Sequence, residues 1–167
     1  MDATVKEKDL IAAANEGMDA FIDVFVSAIK AAIGGELNAA NMGRLNADQI
    51  TLLAYVMFRE EVMDGGFVQL IHNGYGPFIF ENPFAKALRG WGAKQLTNLI
   101  YSGRKLYEQH KSEITKECDD DEFMAMFERY PEFDELDDAF IEMEEEVTAI
   151  IAQYIDNNIA QFANVEK

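Results

Sequence analysis

Carboxylates dominate the chemistry that this sequence could perform. Residues 117–146 hold 15 Asp and Glu against one base, Arg129, a net charge of −14 in a chain whose total is −17. Residues 1–116 hold 14 acids and 12 bases, and residues 147–167 add a net of −1, so the imbalance sits in a single acidic belt. Two runs in the belt, Asp119-Asp120-Asp121-Glu122 and Asp134 to Asp138, supply the oxygen ligands that calcium takes. An EF-hand loop also needs alternating ligands, a glycine at position 6 and a glutamate at position 12. Neither run has that glycine, and both fall in helical pattern. No metal and no cofactor is expected.

Other catalytic chemistry has thin support. His72 and His110 are far apart, and no HxxxH, HExxH or Cys/His ligand spacing exists. Cys118 lies among acids, which raise a thiol pKa and argue against a reactive nucleophile. No GxSxG, P-loop or GxGxxG is present. Glu60 and Glu61 could face a pocket beside His72, but an ordinary helix surface is much the better reading of them. The sequence is read as a non-catalytic protein.

The belt itself is more informative. A face selected only for solubility mixes signs, because like charges at i,i+4 destabilise a helix by ~0.2–0.5 kcal/mol per pair. Here Asp134/Asp138, Asp138/Glu142 and Glu142/Glu146 are all like pairs. Such a field repels nucleic acid and anionic lipid and attracts basic proteins. Duplex DNA carries one charge per ~1.7 Å of axis, so 14 charges match about 24 Å of duplex. The expected partner-binding residues are Asp119, Asp120, Asp121, Glu122, Asp134, Asp138, Glu142, Glu145 and Glu146, with a simple solvated face as the competing reading.

These side chains need helices to position them. Leu10, Ala14, Met18, Phe21, Phe25, Ile29 and Ile33 recur at three and four residues, which predicts one helix from about Asp9 to Ile33, ended by Gly34-Gly35. Asn46 with Gln49 is a loose capping box opening a helix whose apolar face is Ile50, Leu53, Ala54, Met57, Phe58 and Val62, broken at Gly65-Gly66. Phe67 to His72 is a short helix stopped by Asn73-Gly74, and Phe78-Ile79-Phe80 is too short to assign. Asn82-Pro83 reads as an N-cap with proline at N1. A long helix follows from Ala93 to about His110, burying Leu96, Leu99, Ile100, Leu106 and Tyr107.

Within the belt, Asp119 to Asp121 open a short helix carrying Phe123, Met126, Phe127 and Tyr130, where the dipole favours acids. After Pro131, Leu136, Phe140, Met143, Val147, Ile150, Tyr154 and Phe162 form the apolar stripe of a last helix. On a 100° wheel Asp134, Asp138, Glu142 and Glu145 lie opposite that stripe, flanked by Glu135 and Glu146. The expected fold is all-α, a single compact domain of six or seven helices over 1–167. With 49% hydrophobic residues the chain can fill a core. No apolar run reaches the ~18 residues a membrane span needs. The N-terminus lacks a signal-peptide layout, and a single cysteine fits a reducing, cytoplasmic setting.

One further segment carries a structural signature. Gly65 and Gly66 permit a tight turn, Phe67 anchors the next helix, and Gln69 and Asn73 can satisfy backbone groups of the turn. With Glu61, Val62, and Gly92-Ala93 opening the long helix, the segment resembles a family of bacterial domains of unknown function that includes an acidic DNA-mimic protein. The resemblance covers about Leu45 to Tyr107. The sequence departs from the family pattern at Asp64, where asparagine is commoner, and at Leu70-Ile71, where aromatics are common. The resemblance implies an all-helical domain; the mimic further implies an acidic surface, a homodimer and a DNA-binding transcription factor as partner. The belt lies outside the signature. Together these readings favour an adaptor whose acidic face occupies the nucleic-acid-binding surface of a basic protein, without binding nucleic acid or membrane itself. An immunity-type inhibitor of a basic nuclease toxin and an uncharacterised enzyme are the alternatives.

Overall fold

Apolar side chains spaced at three and four residues give nine α-helices across residues 1–167, all of which the computed structural model describes. They are α1 (Glu7–Glu16), α2 (Met18–Ile33), α3 (Ala47–His72), α4 (Gly76–Phe80), α5 (Phe84–Gly90), α6 (Lys94–Ile114), α7 (Asp120–Arg129), α8 (Asp134–Asn157) and α9 (Ile159–Phe162). The all-α expectation holds, with more helices than six or seven because breaks are more frequent. Gly17, at φ 140° and ψ 178°, divides the first expected helix into α1 and α2. Phe78-Ile79-Phe80 belongs to α4, and Phe162 to the separate α9. The long helix α6 continues past His110 to Ile114. No helix is long and apolar enough to cross a membrane.

The chain separates into two compact units, residues 1–53 with 146–167, and residues 54–145. In the first unit the strands β1 (Thr4–Lys6) and β2 (Asn164–Glu166) pair in parallel, Val5 facing Val165. Phe21, Ile22, Phe25, Val26, Ile29, Ile151, Ile155 and Phe162 are buried there. The stripe of the last helix is thus shifted: Ile151 and Ile155 are buried while Ile150 and Tyr154 are half-buried. The expected capping box forms. Asn46 Oδ1 accepts the Gln49 N–H at 2.8 Å, and Gln49 Oε1 accepts the Asn46 N–H at 3.0 Å. Both side chains also reach across the chain, donating to the carbonyls of Gln161 and Phe162.

The second unit is built on aromatic packing. Phe58 meets Phe67 and Phe140 edge-on with centroids 5.6 and 5.0 Å apart, and Phe67 stacks near Phe80 and Phe133. Asn82 acts differently from its expected N-cap role. Its Nδ2 donates to the carbonyls of Pro77 and Phe78, closing α4, and Pro83 occupies the N-cap of α5. A proline N-cap offers no side-chain acceptor, so the aspargine serves the preceding helix end.

Candidate functional site

The signature turn is a sharp kink. Gly66 lies at φ 75° and ψ −174° inside α3, a conformation costly for any residue with a Cβ. A Cβ there would also sit 2.3 Å from Asp137 Oδ2. The kink exposes one backbone donor, the Phe67 N–H, which Asp137 Oδ1 accepts at 2.8 Å. Gln69 and Asn73 serve the turn otherwise than expected. Their amides donate to carboxylates, Gln69 Nε2 to Glu61 at 2.9 Å and Asp64 at 3.0 Å, and Asn73 Nδ2 to Glu61 at 3.0 Å. Glu61 is therefore a structural acceptor for both signature amides. Gly92 adopts φ 97° where α5 turns into α6, and Ala93 beside it is buried.

The belt folds as two helices joined by a 3₁₀ turn at Pro131–Phe133. Asp119 is the N-cap of α7: its Oδ1 accepts the Glu122 N–H at 2.8 Å, and Asp120, Asp121 and Glu122 fill the first turn. All four are exposed. Asp134, Asp138, Glu142, Glu145 and Glu146 are likewise exposed along α8, where apolar Phe140 and Val147 turn inward. None of the five has a basic group within 4.0 Å. Their charge faces water without a counter-charge from this chain.

Two belt acids behave differently. Asp137 is half-buried, and loss of hydration pushes its carboxyl up to about 6, against the opposing pull of the Phe67 N–H; neighbouring Asp134 and Asp138 push it further the same way. Glu144 is half-buried and lies 3.7 Å from the Arg59 guanidinium. Neither is on the outward face drawn from the sequence. The signal was available, since Asp137 stands three residues before buried Phe140 and Glu144 three before buried Val147.

The histidines and cysteine are held structurally. His72 Nδ1 lies 2.8 Å from the Ile114 carbonyl, which can only accept, so that nitrogen carries the proton. Its ring meets Phe123 edge-on at 4.7 Å, and Nε2 is 4.0 Å from Cys118 Sγ. Burial, then Glu122, Asp119 and Asp120, push the Cys118 thiol up. A thiol so placed stays protonated at neutral pH and is a poor nucleophile. His110 Nε2 is 3.2 Å from Glu132, and its ring lies against Tyr130, whose hydroxyl donates to Glu113. No three His, Cys, Asp or Glu side chains converge as a metal site would require. A groove of about 360 Å³, lined by Ala14, Met18, Phe21, Ala152 and Gln153 among others, includes no signature or belt acid.

Comparison with known proteins agrees with the family resemblance. A family model described as DMP19-like protein matches residues 43–158, which include the signature and the whole acidic belt. The "DNA mimic protein DMP19" of Neisseria meningitidis serogroup B (strain ATCC BAA-335 / MC58) is 38% identical over 122 residues, covering 72% of this chain and 74% of the relative. The chain therefore belongs to the DMP19-like protein family.

Proposed function

We propose that the chain is a DNA mimic, a non-catalytic protein whose belt occupies the basic nucleic-acid-binding surface of a DNA-binding partner. The observation that carries this reading is the outward row Asp134, Asp138, Glu142 and Glu145, exposed and without a basic neighbour. Carboxylates at i,i+3 and i,i+4 stand ~5–6 Å apart, a spacing close to that of neighbouring backbone phosphates. Lysines and arginines placed for phosphate donate to carboxylates in the same kind of charge-assisted hydrogen bond. Asp119 to Glu122 and Glu146 extend the acidic surface in this reading. The name of the Neisseria relative supports the same role. A cytoplasmic transcription regulator is the partner class this reading favours.

The test is capture and competition. Tagged protein is used to isolate its partner from the native host, and duplex DNA is then titrated into the purified pair. Under this reading the partner binds DNA and the duplex displaces the chain. A partner without nucleic-acid affinity, or one that DNA leaves bound, would overturn it.

A further inference from the structure

The belt is not uniformly polar. Ile141 is 53% exposed in the middle of the acidic row, and Met63 of α3 is 47% exposed. Their relation follows from contacts on either side. Arg59 pairs with Glu144, Phe58 packs on Phe140, and Phe67 meets both Asp137 and Phe133, so this part of α3 runs antiparallel to α8. On α3 the edge toward α8 reads Arg59, Met63, Gly66, in steps of four and three. On α8 the facing edge reads Glu144, Ile141, Asp137, in steps of three and four. Both ends of the two edges are in contact, Arg59 with Glu144 and Gly66 with Asp137. Met63 and Ile141 therefore occupy the middle of one shared edge. Exposed Glu60, Asp138, Glu142 and Glu145 stand around this apolar pair.

We infer that Met63 and Ile141 form the apolar anchor of the acidic face, which fits a basic helix of a partner protein carrying one large apolar side chain between lysines or arginines. The inference rests on the reading of the belt as a docking surface and names what that surface selects. Charge complementarity fixes the sign of the partner, because every exposed charge in the rim named above is negative. A rim of charge alone attracts any polycation and discriminates poorly, since steering acts through the field and not through shape. Binding hot spots are apolar centres that exclude water within a polar surround. A half-exposed isoleucine and methionine side by side inside a carboxylate rim have that form.

Two synthetic helical peptides of equal length and equal Lys/Arg charge, differing only in a central Leu or Ser, provide the probe. Their affinities for the full chain are measured by fluorescence anisotropy at low salt and in 0.5 M NaCl. The Leu peptide should bind about tenfold more tightly than the Ser peptide, the order expected for burying one aliphatic side chain. That ratio should persist at high salt while both affinities fall, because salt screens charge and not apolar contact. In Ile141→Ser, and separately in Met63→Ser, the ratio should drop close to one with the Ser-peptide affinity unchanged. Equal affinities of the two peptides for the unaltered protein, or a ratio kept by either variant, would overturn the anchor while leaving the acidic-face reading intact. Failure of both peptides to bind at low salt would overturn both.

Discussion

Phe67 and Asp137 are joined across 70 residues of sequence by one hydrogen bond, the Phe67 N–H to Asp137 Oδ1 at 2.8 Å. Phe67 is fully buried, so its amide has no water to fall back on. The kink that the signature glycines permit is thus completed by a carboxylate from the acidic helix. Asp137→Ala should remove that acceptor and lower stability by about 1–3 kcal/mol, the cost of a buried donor left unsatisfied. Asp137→Asn keeps an oxygen in place and should lose less. Urea unfolding of both variants at pH 7 measures the difference.

Asp137 also sets a pH dependence. Its folded-state pKa of about 6 lies above the ordinary carboxyl value of 3.8, with desolvation as the main cause. Between those values the native chain holds the proton more tightly than the unfolded chain, so this group's contribution to stability falls as pH rises from about 4 to 6. Asp137→Asn has no proton to exchange at this position. The stability of wild type relative to Asp137→Asn should therefore be lowest above pH 6 and improve as pH falls through 6 toward 4. A difference that stays flat across that window would show that Asp137 titrates normally.

Gly66 tests the kink directly. Its positive φ with extended ψ, a region that is essentially restricted to glycine, costs a residue with a Cβ about 1–3 kcal/mol before any clash, and the added atom would meet the Asp137 carboxylate. Gly66→Val should lower thermal stability by more than that amount. Partner affinity, measured where the variant remains folded, should change little, because Gly66 is buried and presents no side chain to a partner.

Removing charge from the outward face should separate binding from folding. The quadruple variant Asp134→Asn, Asp138→Asn, Glu142→Gln and Glu145→Gln keeps shape and discards four negative charges. Exposed pairs contribute ~0.2–1 kcal/mol each, so partner affinity should weaken by roughly 1–4 kcal/mol, mainly through slower association. Fold stability should hold or rise slightly, since the repulsion between Asp134 and Asp138 and between Asp138 and Glu142 is gone. Unchanged affinity across a salt series would reduce the belt to a solubility feature.

Calcium provides a control on the same surface. Asp119 already spends one carboxylate oxygen capping α7, and the next three acids point outward from a helical turn. Titration calorimetry should give no saturable micromolar calcium site. One calcium ion per chain, lost in Asp121→Ala, would contradict a protein-facing role for the belt.

Local signals in the sequence were enough for the helical class, the Asn46–Gln49 capping box, the stops at Gly34 and Gly74, and the concentration of charge in residues 117–146. Each depends on neighbours within about four residues, the range over which helical period and capping act. The exposed positions of Asp134, Asp138, Glu142 and Glu145 followed from the same period. Tertiary structure decided what those rules do not reach. It turned Asp137 inward to the Phe67 amide and Glu144 toward Arg59, gave Gln69 and Asn73 carboxylate partners, and paired Val5 with Val165. It also set Phe58 against Phe140 and Phe67 against Phe133, so that this part of α3 runs antiparallel to the facing part of α8. The physical reason is that a hydrogen bond or packing contact between distant segments is fixed by how helices cross, and a periodic pattern states only which face turns inward.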